Sequence, residues 1–204
     1  MTKFDFEDGN GLVPAHEHPN GSGMVANTAM VDATAYVASN AWVYGKANVL
    51  GNAQVLGKAK VYGNAEVSGK AWVYGDAEVY GNARVYGHAK ISDNAEVFGY
   101  AWVSVNARVS GDAKVSGEAL VYGKVSENAR VFGNALIGIN ALVHGNAWVF
   151  DDAMVCDNAR VFGNAVVSGK TRVSGKDLVY GDVKEVKKDR IFINGKWYEE
   201  VTND

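Results

Sequence analysis

The chain has 204 residues, 48% of them apolar, with 24 Gly and only 2 Pro, a composition too apolar for a disordered polymer. Its 20 Lys and Arg against 23 Asp and Glu give a net charge of -3, without the basic surplus that a nucleic-acid footprint or attachment to an anionic membrane calls for. The single cysteine, Cys156, has no partner for an intramolecular disulfide, the usual mark of an oxidising compartment.

The chain opens Met1-Thr2-Lys3-Phe4-Asp5-Phe6-Glu7-Asp8, which lacks the apolar core of a signal peptide, and nowhere do about 18 apolar residues run together. A soluble, cytoplasmic protein is expected. Residues 1–24 mix Phe4, Phe6, Leu12 and Val13 with turn formers and are expected to fold as a cap over the open end of the repeat region that begins at Val25.

From Val25 to Val121 an apolar residue recurs at every sixth position, always Val except for Ile91. A second run from Val131 to Val179 keeps the same step, with Ile137 as its exception. Ala stands four residues after nearly every Val, as in Val61-Tyr62-Gly63-Asn64-Ala65-Glu66. Two inward positions in six match neither the 3.6-residue period of a helix nor a long alternating strand. They describe a short strand, a corner and another short strand. Gly followed by Asn or Asp, as at Gly63-Asn64, Gly75-Asp76 and Gly133-Asn134, supplies the corner, because these residues accept positive φ or tight turns. Three sides then close a coil, and some nine coils, paired through parallel ladders about 4.8 Å apart, give a rod about 40 Å long. Each interior valine contributes roughly 1.5–3 kcal/mol by burial, and stability is spread along the rod through neighbouring coils. The predicted organisation is a cap at 1–24, a repeat domain at 25–183 and a C-terminal hairpin or cap at 184–204.

The runs Val79-Tyr80-Gly81-Asn82-Ala83 and Val161-Phe162-Gly163-Asn164-Ala165 resemble the hexapeptide repeat of left-handed parallel β-helix proteins. The resemblance covers about three quarters of the chain. It implies an all-β triangular prism. The left hand rests on the resemblance alone, since parallel crossovers generally favour the right. Within that group the chain looks most like the regular, loop-poor members of bacteria and bacteriophages.

Between Val121 and Val131 the step is ten residues, Val121-Tyr122-Gly123-Lys124-Val125-Ser126-Glu127-Asn128-Ala129-Arg130. Either four residues bulge out of one corner, or Val125 begins a new side after a four-residue step. The bulge is the expectation, because a corner can extrude residues whereas a shortened side distorts the coil. The choice decides which faces join across the break.

The position after each Val, read once per coil, gives an outward stripe of Tyr44, Tyr62, Tyr80 and Phe98, then Ser116, with Trp42 beside its lower end. If Val125 starts a side, Phe132 and Phe150 rejoin it. A ladder of exposed aromatics is expected to mark a contact surface. Self-association, shielding of the sheet and stacking of a carbohydrate or other flat ligand are the readings it allows. Relatives of the resembled fold are commonly trimeric, so a homo-oligomer, trimer or dimer, is expected, with a further protein partner as an alternative. Near the C-terminus, Arg190-Ile191-Phe192-Ile193-Asn194-Gly195-Lys196-Trp197-Tyr198 reads as a hairpin about an Asn-Gly turn. Its Phe192, Trp197 and Tyr198 are candidates to cap the last coil or grip a partner.

The resembled fold also serves acyltransferases, which use a histidine base near a subunit cleft. His88, at a corner, and His144, after Val143, are the weak catalytic candidates, and a solvated histidine is the plainer reading of both. A zinc site of the carbonic-anhydrase kind needs three converging histidines. His16 and His18 form the one close pair, a weak metal candidate beside the plainer reading of a polar turn. Cys156 has no sequence neighbour to activate it, and Asp151, Asp152 and Asp157 cluster in consecutive repeats as a faint cation candidate. No cofactor is expected. The reading that emerges is a non-enzymatic structural or binding protein, a rigid scaffold recognising itself or another macromolecule through its outer faces. A trimer-cleft acyltransferase and a binder of small ligands between subunits are the alternatives.

Overall fold

The computed structural model describes residues 2–180 together with the backbone of 190–193 and 196–199. Within these residues every element is a strand. From Met24 onward each repeat contributes one short strand, Trp42–Val43, Asn48–Val49 and Gln54–Val55 being successive examples. Every third strand joins the same sheet, so the chain winds through three parallel sheets of eleven, nine and nine strands, the first including two N-terminal additions. The result is a β-solenoid of nine coils with three flat faces. We call them first, second and third in the order in which the chain meets them, at Val25, Val31 and Val37.

The two inward positions of the hexad build the interior. From Ala35 to Val167 the repeat Val, Ile and Ala side chains are essentially inaccessible to solvent, and they form one continuous cluster along the rod. Valine stacks on valine in each column, as in Val43, Val61, Val79 and Val97. The small alanine leaves room where the backbone bends inward. At the corners the glycines sit at positive φ, for instance Gly63 at 70° with the next coil's Gly81 backbone 3.0 Å from where a Cβ would lie. Both conformation and space therefore require glycine there.

The ten-residue step is not a bulge. Lys124–Val125 is a strand of the third face, in register with Arg108–Val109 below and Leu142–Val143 above. The expected extrusion is thus corrected to a corner shortened by two residues. The physical reason is parity. Side chains alternate with a period of two, so losing two residues keeps every later Val inside, and the coil above is not distorted. Gly123 takes the buried place of the usual Ala and accepts the Arg108 amide hydrogen bond at 3.0 Å. A Cβ on it would collide with the Gly138 and Ala141 carbonyl oxygens.

At the N-terminal end, β1 (Lys3–Asp5) pairs antiparallel with β2 (Leu12–Glu17), which pairs antiparallel with β3 (Met24–Ala26) at the base of the first sheet. The linking segment crosses the open end of the first coil. There Gly23 N–H donates to the Val37 carbonyl at 2.9 Å and Val37 N–H to that of Asn20 at 3.0 Å. Gly21 and Gly23 permit this approach, since a Cβ on either would meet Val37 or Ala38 backbone. At the other end Arg190–Ile193 pairs antiparallel with Lys196–Glu199, Ile193 opposite Lys196, as expected for a hairpin. The Asn194-Gly195 turn and the side chains of Phe192, Trp197 and Tyr198 lie outside the described residues.

Candidate functional site

The shortened corner decides what each face displays. On the first face Phe132 and Phe150 rejoin the aromatic stripe, stacked with centroids 4.8 Å apart. Below them Tyr44, Tyr62, Tyr80 and Phe98 form one stack, with centroid separations of 4.8, 4.9 and 4.9 Å and interplanar angles of 5° or less. The spacing is a consequence of the fold, because the rise between coils, about 4.8 Å, falls within the range that offset aromatic stacking prefers. Phe6 from the N-terminal segment closes the lower end of the stack, 4.9 Å from Tyr44. Trp42 packs edge-on against Phe4 at 5.4 Å.

These rings are not the exposed ladder expected. Tyr44 is only 6% exposed, and Tyr62, Tyr80 and Phe98 are half-buried, because each ring covers the faces of its neighbours. Tyr62 and Tyr80 donate their hydroxyls to Glu78 and Glu96, each at 2.9 Å. Burial raises the pKa values of the Tyr44, Tyr62 and Tyr80 hydroxyls well above 10, and nearby carboxylates raise them further. Burial also opposes ionisation of Glu96, but hydrogen bonds from Lys114 at 2.7 Å and from Tyr80 outweigh it and hold its carboxyl below 4.5. Face-on stacking of a flat ligand finds few free ring faces here.

The third face carries Trp72, Lys90, Arg108 and Lys124 in consecutive coils. Lys90 lies 4.4 Å above the Trp72 ring. His88 is exposed and lines a groove of about 330 Å³ with Asn52, Gln54, Lys70, Trp72 and Lys90. His144 stacks on Phe162 at 5.2 Å and places Nδ1 3.6 Å from Glu127. The two histidines lie on different edges of the prism and several coils apart, so neither assists the other.

His16 Nδ1 is hydrogen-bonded to the Asn27 side chain at 2.9 Å, while His18 is buried with Nδ1 3.1 Å from the Asn20 carbonyl oxygen. Among the described residues no group of three His, Cys, Asp or Glu side chains comes together to hold a metal ion. The apparent acidic cluster is dispersed by the winding, a correction to the sequence expectation. Asp151 and Asp152 lie on one edge of the second face and Asp157 on the other. Each is used by a corner: Asp151 and Asp157 accept the amides of Gly169 and Gly175, each at 3.1 Å, and Asp152 accepts from Asn134 at 3.0 Å. Cys156 is half-buried with Sγ 3.7 Å from the Asp157 carboxylate. No described helix is long and apolar enough to cross a membrane.

The second face is where the outer surface departs from a mixed polar lattice. The residue before each inward Val reads Glu66, Arg84, Trp102, Leu120, Leu136, Met154 and Arg172 in successive coils. Four consecutive rungs are thus apolar, bounded by charge, with Trp102 exposed and Leu120, Leu136 and Met154 half-buried. Tyr100 flanks this row at 61% exposure, and Val105 and Ile139 flank it on the other edge at 43% and 63%. Trp102, Leu120 and Tyr100 line an open groove of about 510 Å³ with Glu118 and Asn134.

Val105 also occupies a corner position normally held by Gly, at φ 62°. A β-branched residue is strained there. Most other strained corners differ in kind: Asp93, Asp151 and Asp157 share this φ but each accepts the next coil's glycine amide, and Glu127, at φ 60°, faces His144 Nδ1 at 3.6 Å. Valine has no such return. The position after each Val, read from coil to coil, does not show this patch. The position before it, with Leu120 and Leu136 aligned across the short corner, holds the signal.

A family model described as the YdcK beta-solenoid repeat matches residues 153–169 and 159–175, two overlapping stretches in the last coils. No curated protein matches the chain. No solved structure matches it.

Proposed function

We propose that this protein is a non-enzymatic scaffold, a rigid rod that binds a macromolecule, either another copy or a different protein, through its second face. The observation that carries this reading is the four-rung apolar row from Trp102 to Met154 on a flat parallel sheet. Contiguous apolar surface on a soluble protein marks a contact site, and a solenoid face holds such residues at fixed spacing with little conformational entropy left to lose on binding. The strained Val105 at its edge, kept where glycine is free of strain, fits a residue retained for contact. The readings of a soluble cytoplasmic location, a hexapeptide-repeat left-handed relationship and a phage-encoded origin rest on the sequence and its resemblance.

The test places a photoreactive amino acid at position 120, on the second face, or at position 108, on the third, and irradiates the cells that make the protein. Adducts to a defined protein, which include a second copy, are expected from position 120 and not from 108. Equal adducts from both, or none from position 120, overturn the reading.

A further inference from the structure

The apolar patch has an internal symmetry that points to its occupant. Taking the coil of Leu120 as centre, Trp102 lies one rung below and Leu136 one rung above. Arg84 and Met154 lie two rungs away, and Glu66 and Arg172 three. The edge repeats the arrangement: exposed Val105 stands in the coil below the shortened corner and exposed Ile139 in the coil above it. At the centre of that edge the chain is two residues short, and buried Gly123 leaves no projecting turn.

A two-fold axis across the rod through Leu120 turns this near-symmetry into complementarity. It lays an inverted copy against the same face and reverses the order of rungs while keeping each edge against itself. Leu120 then meets Leu120 of the second copy, and Trp102 meets Leu136. Arg84, stacked on Trp102 at 5.2 Å, meets Met154. Glu66 meets Arg172. Along the edge Val105 meets Ile139, and His88 falls opposite Asn158. Every such pair except Leu120 with itself on the axis occurs twice, as an isologous interface requires. Two like-charge pairs oppose it, Glu118 with itself and Lys70 with Lys176. Both lie on exposed rims, where salt screens them.

Resting on the proposed binding role of this face, we infer that its partner is a second copy of this chain, packed antiparallel about an axis at Leu120. Glu66 to Arg172 spans six intervals, about 29 Å at the strand spacing, and a six-residue side is about 20 Å wide. The interface thus covers roughly 1,200 Å² over both copies, the lower bound for a stable complex, and a dissociation constant on the order of micromolar is expected.

Sedimentation equilibrium of the full chain from submicromolar to about 100-fold higher concentration reads the association directly, with circular dichroism confirming that each variant is folded. The expected species has twice the 21.8 kDa chain mass. Leu120→Lys sets two ammonium groups against each other on the axis and should abolish it, and Trp102→Ser should weaken it about 30-fold. Glu66→Lys should weaken association, and Glu66→Lys/Arg172→Glu should restore it. In a Cys156→Ser background, Leu120→Cys should form a covalent dimer on mild oxidation.

A chain monomeric throughout the range overturns the inference. So does a dimer indifferent to Leu120→Lys, one that the paired charge reversal fails to rescue, or one that Leu120→Cys cannot capture. A monomeric chain whose position 120 still forms adducts with another protein overturns the homodimer alone and leaves the binding role standing.

Discussion

Replacing Val105 with glycine should make the isolated rod more stable, although it removes an apolar side chain. Val105 is held at φ 62°, a region that costs an L-residue about 1–2 kcal/mol. Glycine removes that cost but adds about 0.5–1 kcal/mol through the freedom of its unfolded chain. The residue is 43% exposed, so less burial is lost than from an inward valine. The balance is a gain of about 0.5–1 kcal/mol. Because stability in a solenoid is felt between neighbouring coils, the gain should appear locally. The His88 amide donates to the Val105 carbonyl at 2.7 Å and that of Arg108 to Gly123 at 3.0 Å. Hydrogen exchange of these two amides, measured by NMR at concentrations where the chain is monomeric, should slow roughly 2–5-fold. Asp157→Gly is the control: it relieves a similar φ of 59° but gives up the hydrogen bond accepted from Gly175, so its coil should change less. Faster exchange in Val105→Gly, or an equal gain in the control, refutes the argument that Val105 carries uncompensated strain.

Gly123→Ala should be among the most damaging single-methyl changes, because the added carbon meets the Gly138 and Ala141 carbonyl oxygens. A loss of about 3 kcal/mol or more in urea unfolding is expected, with exchange fastest around the shortened corner. The ladder tyrosines make stability fall in alkali. Burial raises the Tyr44, Tyr62 and Tyr80 hydroxyls above their ordinary 10, so their contribution is complete below pH 10 and declines as pH rises beyond it, where the unfolded chain ionises and the folded one resists. An ultraviolet titration should show tyrosines that ionise only as the chain unfolds, and Tyr44→Phe/Tyr62→Phe/Tyr80→Phe should reduce their number.

The winding of this chain was legible from residue spacing because one period sets both the strand and the interior. A Val and an Ala in every hexad can occupy the inside only if the chain bends between them. The identity of the vertical neighbours was less accessible. The ten-residue step admits two registers on spacing alone, and what separates them is parity together with Gly123 standing at an alanine position. The outward stripe of Tyr44, Tyr62, Tyr80 and Phe98 aligns on spacing alone, but its burial does not follow from spacing, since Phe6 arrives from a segment without the repeat and stacking hides the ring faces. The second-face row needed the register first: Leu120 and Leu136 become neighbours only when the shortened corner is granted.

Among the described residues, the three most exposed tryptophans offer a direct test of the central claim, since each stands on a different face. Trp72 is 36%, Trp102 38% and Trp148 41% exposed, on the third, second and first faces respectively. An isolated rod should oxidise them at nearly equal rates under hydroxyl radicals. Footprinting at the protein's working concentration should instead protect Trp102 together with Leu120, Leu136 and Met154, while Trp72 and Trp148 react as before. Equal reactivity at all three tryptophans, at every concentration and with cellular partners present, would contradict a binding role for the second face.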